Sequence, residues 1–397
     1  MVVRTKRGRR ALAVLAVTLV ASGLAACASL NPSAGISCAW GLKADRETLN
    51  VAYPDAGATY FTTRYTLLSG QSLVLSGTYP YARYMSLITY NFSGNVVDKL
   101  SDIQINPDPG SDNPFTDVAA STNPANRRWT VTISPDAAPG SGQATNGLTA
   151  TSLGSVILRV YVPDNPIDLA GSVPLPDMTV RHPDSSLTPL PTCATQGSDS
   201  SILDLINNFG PATDLPPTDP PVFRRPASVA GLYANPDNTY LASIVNHQPG
   251  KVIVVRGKAP STPDTRAGQS AATPSQLRYW SMCTNEYRKP YPVSFCAFDS
   301  EATLDGSGYY TFVMSTPADK PTNATTADGV TWLDWGSTTT NMVMILRHML
   351  PAPTFVETAS NVAPGQLASD VMGVYTPAAK TCSTTTFQND GPAACGP

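Results

Sequence analysis

The chain contains the same order of short motifs twice, and this internal duplication constrains the fold more than any other feature. The segment QSLVLSGTYP at 71–80 resembles KVIVVRGKAP at 251–260, because each is an apolar run followed by glycine and proline. The segment ARYMSL at 82–87 resembles LRYWSM at 277–282. Three further pairs keep the same order: 53–61 with 235–243, 130–135 with 311–317, and 157–163 with 345–351. Five ordered pairs predict two copies of one structural unit.

Each copy consists of short apolar runs of five to eight residues, a length typical of β-strands. Turn motifs such as PDPGSDNP at 107–114 and LDGSG at 304–308 separate these runs. The chain has 37 prolines and only 14% charged residues, which also favours a β-rich exported protein. We therefore predict an all-β protein of two tandem antiparallel β-sandwich or jelly-roll-like domains.

Composition changes along the chain indicate the domain boundaries. We predict a signal peptide at 1–26, a first β-sandwich at 27–193 and a second at 227–397. A Pro/Ser-rich linker at 194–226 joins them, and its segment SILDLINNF predicts a short amphipathic helix. The second copy also carries a polar insertion at 261–276, which predicts a loop.

The N-terminus has the pattern of a bacterial export signal. Five basic residues precede the apolar run ALAVLAVTLVASG, and LAAC at 24–27 follows. A small-residue motif before cysteine resembles a lipobox, so we predict that Cys27 carries an acyl chain such as palmitate. The mature chain would then be lipid-anchored on the outer face of the bacterial cytoplasmic membrane. The alternative is a plain secretory signal with a chance cysteine.

Charge limits the partners of the mature chain. Removing residues 1–26 removes five basic and no acidic side chains, which leaves 21 basic and 29 acidic ones, a formal charge of −8. This balance argues against nucleic acid, which needs basic surfaces. It also argues against electrostatic docking on anionic lipid headgroups, so the predicted membrane contact is the N-terminal lipid anchor.

Six cysteines remain after Cys27, and an even number in an exported chain predicts disulfides. Six cysteines allow fifteen connectivities, and spacing favours one set. Cys283–Cys296 would bridge a hairpin and Cys382–Cys395 would close a short loop, which leaves Cys38–Cys193 to bracket the first domain. With no C-x-x-C motif and three histidines in the chain, we predict no metal site and no cofactor.

Four arginines lie on otherwise apolar strands, namely Arg83 and Arg159 in the first copy and Arg278 and Arg347 in the second. A charge in such a place must be paired or reach water. One interpretation is structural, with each guanidinium forming a bidentate ion pair with a carboxylate of its own copy. The other is functional, with the arginines forming an anion or sugar-acid site at the mouth of a sandwich.

The structural interpretation has candidate partners in each copy. Asp98 or Asp102 would serve the first copy, and Asp299 or Glu301 the second. We favour a structural role for all four arginines. If one of them binds a ligand instead, Arg83 is the first candidate, because three tyrosines surround it in the sequence.

Aromatic residues cluster near the same strands, and tyrosine and tryptophan platforms bind sugars or apolar chains. The predicted binding residues are Arg83, Tyr79, Tyr81, Tyr84, Arg278, Trp280, Trp332 and Trp335.

The longest motifs resemble those of a known family. The run ARYMSLITYNFSGNVVDKLSDIQINPDPGSDNPF, then RRWTVTISPD and SVILRVYVPD, resembles family 1214 of the domains of unknown function. The second copy is similar in RYWSMCTNEY, YTFVMST and MILRHMLP. This family often sits beside family 1254, so a divergent 1254–1214 arrangement in an actinobacterial-type exported lipoprotein is the alternative. The resemblance implies a β-sandwich or jelly-roll fold and brings no established activity.

Signatures of catalysis are absent from the sequence, which has no G-x-S-x-G, H-E-x-x-H, P-loop or dinucleotide fingerprint. We assign no catalytic residue and favour a non-enzymatic role. The predicted function is an envelope lipoprotein that binds a glycan, lipid or small molecule through an aromatic groove. The alternatives are a secreted hydrolase-type enzyme and a structural partner of an envelope complex. A deep pocket with a strongly shifted carboxylate or histidine would favour an enzyme, and a shallow groove would favour binding.

Overall fold

The computed structural model describes residues 36–137, 145–197, 216–227, 232–338 and 341–396. Cys27, the predicted signal peptide and the predicted linker helix lie outside these ranges. No helix in the described ranges is long and apolar enough to cross a membrane. The regular secondary structure of the described residues is almost entirely β-strand, with short 3₁₀ turns, and two short helices follow the last strand.

The strands of the first half are β1 (Leu42–Ala44), β2 (Ala58–Thr66), β3 (Ser72–Thr78), β4 (Ala82–Asn91), β5 (Val96–Ser101), β6 (Arg128–Ser134), β7 (Gly147–Thr149), β8 (Leu153–Pro163), β9 (Asp177–Arg181) and β10 (Leu187–Leu190). Those of the second half are β11 (Asn238–Val245), β12 (Lys251–Lys258), β13 (Tyr279–Glu286), β14 (Val293–Phe298), β15 (Tyr309–Ser315), β16 (Thr331–Asp334), β17 (Met342–Met349) and β18 (Ala378–Ser383), followed by α1 (Thr384–Asp390) and α2 (Pro392–Cys395).

The two halves share the topology of eight strands, to which the first half adds the edge strands β1 and β10. The first half has sheets ordered β1-β2-β8-β4-β5 and β10-β9-β3-β6-β7. The second has β11-β17-β13-β14 and β16-β15-β12-β18. Each half has a parallel pair at the same place, β6 with β7 and β15 with β16. All five repeated motifs fall on equivalent strands, so the predicted two tandem β-domains are confirmed.

Each half is a sandwich with its own apolar core. Leu73 and Val131 from one sheet meet Met85 and Leu158 from the other in the first half. In the outer strand β6, buried and partly exposed residues alternate, as expected of a strand with one face in the core. The second half packs in the same way around a core of its own.

The inner sheets of the two sandwiches face each other, so four sheets stack in layers. In β4, nine of ten residues are buried, and in β17 all eight are. One face of each strand lies in its own sandwich core, and the other packs against the opposite half. Tyr84 and Tyr161 thus pack with Tyr279 and Met349 across the interface.

The described ends of the predicted linker 194–226 each pack on a sandwich. Gly197 donates its N–H to the carbonyl of Gly41, so the chain beyond Cys193 still belongs to the first sandwich. Phe223 lies in the second core. The sequence 261–276 forms a connection with one 3₁₀ turn, as predicted for the insertion.

The structure contains the three predicted disulfides. Cys38–Cys193 joins the two ends of the first sandwich. Cys283–Cys296 links directly paired residues of β13 and β14. Cys382–Cys395 ties β18 to α2.

Candidate ligand-binding site

The two arginines of the repeated R-Y motif pair with carboxylates of the opposite half. Arg83 Nη1 donates to both oxygens of Asp299, at 2.8 and 2.9 Å. Arg278 Nη1 donates to Asp102 at 3.2 and 3.3 Å. Because Asp102 and Asp299 begin equivalent 3₁₀ turns after β5 and β14, the two ion pairs are reciprocal. The prediction that each arginine pairs within its own copy is wrong, because the inner sheets face each other.

The tyrosine that follows each of these arginines also bonds to an aspartate of the opposite half. The Tyr84 hydroxyl donates to Asp237 Oδ2 at 2.8 Å. The Tyr279 hydroxyl donates to Asp55 Oδ1 at 2.8 Å. These aspartates belong to the Pro-Asp motif that opens each copy. In each copy the motif supplies the acceptor for a tyrosine hydroxyl of the opposite half.

The second arginine of each copy donates to a backbone carbonyl of the opposite half. Arg159 Nη2 donates to the Tyr233 carbonyl at 2.6 Å, and Arg347 Nη2 donates to the Tyr53 carbonyl at 2.7 Å. Both guanidiniums are 2% exposed. Arg347 also lies 3.7 Å from Asp55. All four arginines therefore stabilise the contact between the halves, as the structural interpretation held, but through the opposite copy.

Two buried carboxylates of this interface, those of Asp102 and Asp299, have raised pKa values. Burial raises the pKa of Asp102 to about 6, although Arg278 opposes the shift. Burial also raises the pKa of Asp299, against the opposing effect of Arg83. Each aspartate accepts the backbone N–H of a strand residue, Met85 or Trp280. Perturbed groups mark functional sites only where a ligand can reach them, and these carboxylates are enclosed.

Most of the predicted aromatic groove is buried in the cores. Tyr79, Tyr84 and Arg83 are 0% exposed, and Trp280 and Trp335 are 1% and 3% exposed. The expectation that these side chains line one ligand groove is wrong, because they fill the sandwich cores and the interface. The structure also does not bring the two partly exposed ones together: Tyr81 stacks with Arg127, and Arg278 contacts Asp102. Of the predicted binding residues, Trp332 lines a pocket.

That pocket lies at an open side of the second sandwich and has a volume of about 430 Å³. It opens between β14 and β16, which are edge strands of the two facing sheets. Apolar side chains of both strands line it, with Phe295 and Phe298 on one side and Trp332 on the other. The pocket therefore lies at the mouth of a sandwich. A sugar-acid site at such a mouth was expected from the sequence, but it was expected to consist of the strand arginines, which do not line this pocket.

Two cations stack on the aromatic walls of the pocket. Lys320 Nζ lies 4.2 Å from the ring centre of Trp332. The guanidinium of Arg46, which comes from the first half, lies 5.3 Å from the ring centre of Phe295. Stacking holds each charge at the wall. The Nε of Arg46 also lies 3.4 Å from Glu47 Oε1, a carboxylate outside the pocket lining.

One carboxyl group completes the polar lining. Glu301 keeps one side open to solvent, and its Oε2 accepts the backbone N–H of Phe298 at 3.3 Å. Loss of water against the pocket wall raises its pKa. The indole N–H of Trp332 donates to Ser315 Oγ at 3.0 Å, which fixes the ring orientation. The pocket thus offers two cations, one carboxyl group and aromatic surface.

Among the described residues, the Trp332 wall of the pocket has no aromatic counterpart in the first half. Trp332 pairs with Val313, and the equivalent pair in the first half is Gly147 with Thr132. Glycine at that position removes the aromatic wall. Features common to both copies, such as the exchanged ion pairs, belong to the architecture. A feature present in one copy is the better candidate for ligand binding.

The three histidines do not converge on this pocket. His348 lies inside the second half, where it accepts the Ala359 N–H, and burial lowers its pKa to about 3. His247 lies 3.3 Å from Asp319, and His182 bonds Gln71. None of them is near Glu301 in the pocket lining.

One group among the described residues has the geometry of a metal site, formed by Asp55, Cys283 and Cys296. Both cysteines are joined in a disulfide, so neither offers a thiolate. In addition, Arg347 Nη1 lies 2.8 Å from Cys283 Sγ. A nearby guanidinium disfavours a cation.

Sequence reasoning missed most of the pocket. Arg46, Lys320 and Glu301 lie in unrelated motifs, and no spacing rule connects them. A usable signal was the difference between the copies, because Trp332 stands where the first copy has glycine.

Two solved structures are similar to this chain. An uncharacterized protein from Burkholderia cenocepacia is similar with a TM-score of 0.54 and 14% identity, over 92% of this chain and 88% of that chain. A protein from Vibrio parahaemolyticus is similar at 12% identity, with a TM-score of 0.41, over 83% of this chain and 90% of that chain. The first similarity supports the fold alone. No protein-family model matches the chain, and no curated protein does. The resemblance to family 1214 therefore stays a prediction.

Proposed function

We propose that this protein is an exported envelope lipoprotein, anchored through Cys27, that binds a small acidic ligand of the sugar-acid class. The ligand occupies the pocket between β14 and β16. We also propose that the chain is a divergent relative of family 1214, a family that brings no activity with it.

The observation that carries the binding proposal is the pairing of stacked cations with aromatic walls in one pocket. Lys320 and Arg46 line the pocket together with one carboxyl, Glu301, while Glu47, which pairs with Arg46 at 3.4 Å, lies outside the lining. The lining itself therefore favours an anion over a cation. The faces of Trp332 and Phe295 suit the apolar face of a sugar ring. A volume of about 430 Å³ matches a small ligand of one or two rings.

Ligand-observed NMR with glucuronate as the probe tests this proposal. We expect saturation transfer to glucuronate and weaker transfer to glucose, because glucose lacks the carboxylate. Lys320→Ala removes one cation and should weaken glucuronate binding about tenfold, a loss typical of one charge-assisted contact. Trp332→Ala should weaken both sugars.

The matched control is Lys380→Ala, which removes an exposed lysine of β18 in the same half. It leaves the net charge equal to that of Lys320→Ala. Equal weakening by both lysine variants would mean that overall charge, and not the pocket, attracts the sugar acid. No saturation transfer to either sugar would contradict the proposal.

The second candidate function is a glycoside hydrolase-type reaction with Glu301 as general acid, because this carboxyl lies in the lining of the same pocket beside the aromatic walls and its pKa is raised by burial. Glu301→Gln distinguishes the two functions. A hydrolase would lose turnover of a glucuronide while keeping affinity, whereas a binding protein would show no turnover in either form.

A further inference from the structure

Four large apolar side chains are exposed on the first sandwich near the ends of neighbouring strands. Leu68 is 65% exposed, Phe92 54%, Leu153 43% and Val96 37%. Large apolar side chains that cluster on a surface mark a contact with a partner or a membrane.

Strand register places three of these residues at the same end of the inner sheet. Leu153 begins β8 and pairs with Thr66 at the end of β2. On the other side of β8, Asn91 at the end of β4 pairs with Gly154, so Phe92 follows directly beside Leu153. Leu68 lies two residues beyond Thr66.

Val96 completes the group from the other arm of the β4–β5 hairpin. It begins β5 and pairs with Tyr90, one residue before the end of β4. The four side chains therefore project from three adjacent connections.

These connections carry no charge. Their sequences are LLSGQ at 67–71, FSGNV at 92–96 and ATSL at 150–153. A bilayer interface accepts leucine, phenylalanine, serine and glycine but penalises carboxylates and ammonium groups. The β9–β10 turn lies against the first of these connections, with Pro183 beside Gly70, and brings Arg181 and Asp184 to the rim of the surface. The uncharged area is therefore limited to the three connections themselves.

The chain also enters the fold toward this end. Strand β1 runs antiparallel to β2, with Leu42 opposite Thr62, and the Trp40 N–H donates to Thr63 Oγ1. Residues before Trp40 therefore approach the end of β2 at Thr66. Nine residue steps separate Cys27 from Ile36, a span of at most about 32 Å.

We propose that this end, formed by 67–71, 92–96 and 150–153, rests in the outer surface of the lipid bilayer. The apolar side chains insert among the headgroups, and the acyl anchor at Cys27 supplies the tether. Contact through apolar loops needs no basic residues, so it agrees with the negative charge of the protein. The proposal concerns a surface of the first half and is independent of the pocket in the second half.

The test measures the depth of single introduced tryptophans. The mature chain 28–397 retains all described residues and is held on phosphatidylcholine vesicles by an N-terminal histidine tag and a nickel-chelating lipid. Phe92→Trp places the reporter at the proposed end. Ile167→Trp is the control, because Ile167 is 89% exposed in the connection at the opposite end of β8.

Lipids with brominated acyl chains quench tryptophans that enter the bilayer. We expect quenching above the wild-type level for Phe92→Trp and none above that level for Ile167→Trp. The result should persist when phosphatidylglycerol replaces part of the phosphatidylcholine. Because the tag replaces the acyl anchor, failure of Cys27 acylation does not affect the outcome.

Absence of excess quenching at position 92, or equal quenching at both positions, would overturn the proposal. A blue shift of the Phe92→Trp emission that grows with protein concentration without vesicles would also overturn it. That outcome would assign the surface to contact between two copies of the chain.

Discussion

At the scale of single residues, burial sets the charge state of the titratable groups. His348 is 2% exposed in β17, and burial lowers its pKa to about 3. Its Nδ1 accepts the Ala359 N–H at 3.3 Å, so the neutral ring carries its proton on Nε2. Burial acts in the opposite direction on Asp102, whose pKa rises to about 6.

The first prediction concerns acid sensitivity from His348. A folded-state pKa below the unfolded value of about 6.5 means that stability is complete above pH 6.5 and falls as pH decreases toward 3. Between pH 7 and pH 5 the expected loss from this residue is about 2 kcal/mol. Urea unfolding of wild type and His348→Gln at both pH values measures it, because the contribution of Asp102 cancels in the difference.

We expect the His348→Gln variant to lose about 2 kcal/mol less than wild type on this acidification. Parallel losses in the two proteins would show that the folded state admits the charged imidazole.

At the scale of elements, a glycine in β3 and one in β12 fix how each outer sheet packs. A Cβ on Gly77 would lie 2.4 Å from the Trp129 ring, and one on Gly257 would lie 2.5 Å from the Tyr310 hydroxyl. In each half the aromatic residue comes from the strand paired with the glycine. The repeated glycine in the duplicated motif therefore provides space for an aromatic side chain.

The second prediction is that Gly77→Ala destabilises the protein by about 1–3 kcal/mol, because the Trp129 ring must move within a packed core. Thermal unfolding measures the loss. Gly306→Ala is the matched control, since a Cβ there meets no atom within 4 Å. Equal melting temperatures for the two variants would show that the core repacks without cost.

The strands and their order could be predicted from the sequence, but the residues that pair between the two halves could not. The order of the strands and the hairpin disulfide Cys283–Cys296 follow from alternation, turns and spacing, which are local. The partner of Arg83 does not, because Asp102 and Asp299 occupy equivalent positions in the two copies. A duplicated sequence offers each arginine two equivalent carboxylates, and only the stacking of the sheets selects one.

At the scale of the whole molecule, exchange between the halves explains why charged and tyrosine residues recur in apolar strands. Each half supplies the arginine of one buried ion pair and the carboxylate of the other. Two sandwiches with such faces are incomplete alone, since separation would expose the tyrosines and leave the arginines unpaired. The pocket does not follow from the duplication. It depends on Trp332, which stands where the first half has Gly147.

The last prediction is that the two sandwiches unfold together. Calorimetry should give one transition whose van't Hoff enthalpy equals the calorimetric enthalpy. Arg83→Met leaves Asp299 buried without its cation, so we expect a loss of about 3–5 kcal/mol, with the whole transition shifted to lower temperature. Arg256→Met is the control, because its partner Asp305 is 36% exposed, and such a pair contributes at most about 1 kcal/mol. Two resolved transitions in wild type, or an Arg83→Met variant no weaker than the control, would contradict the interdependence of the halves.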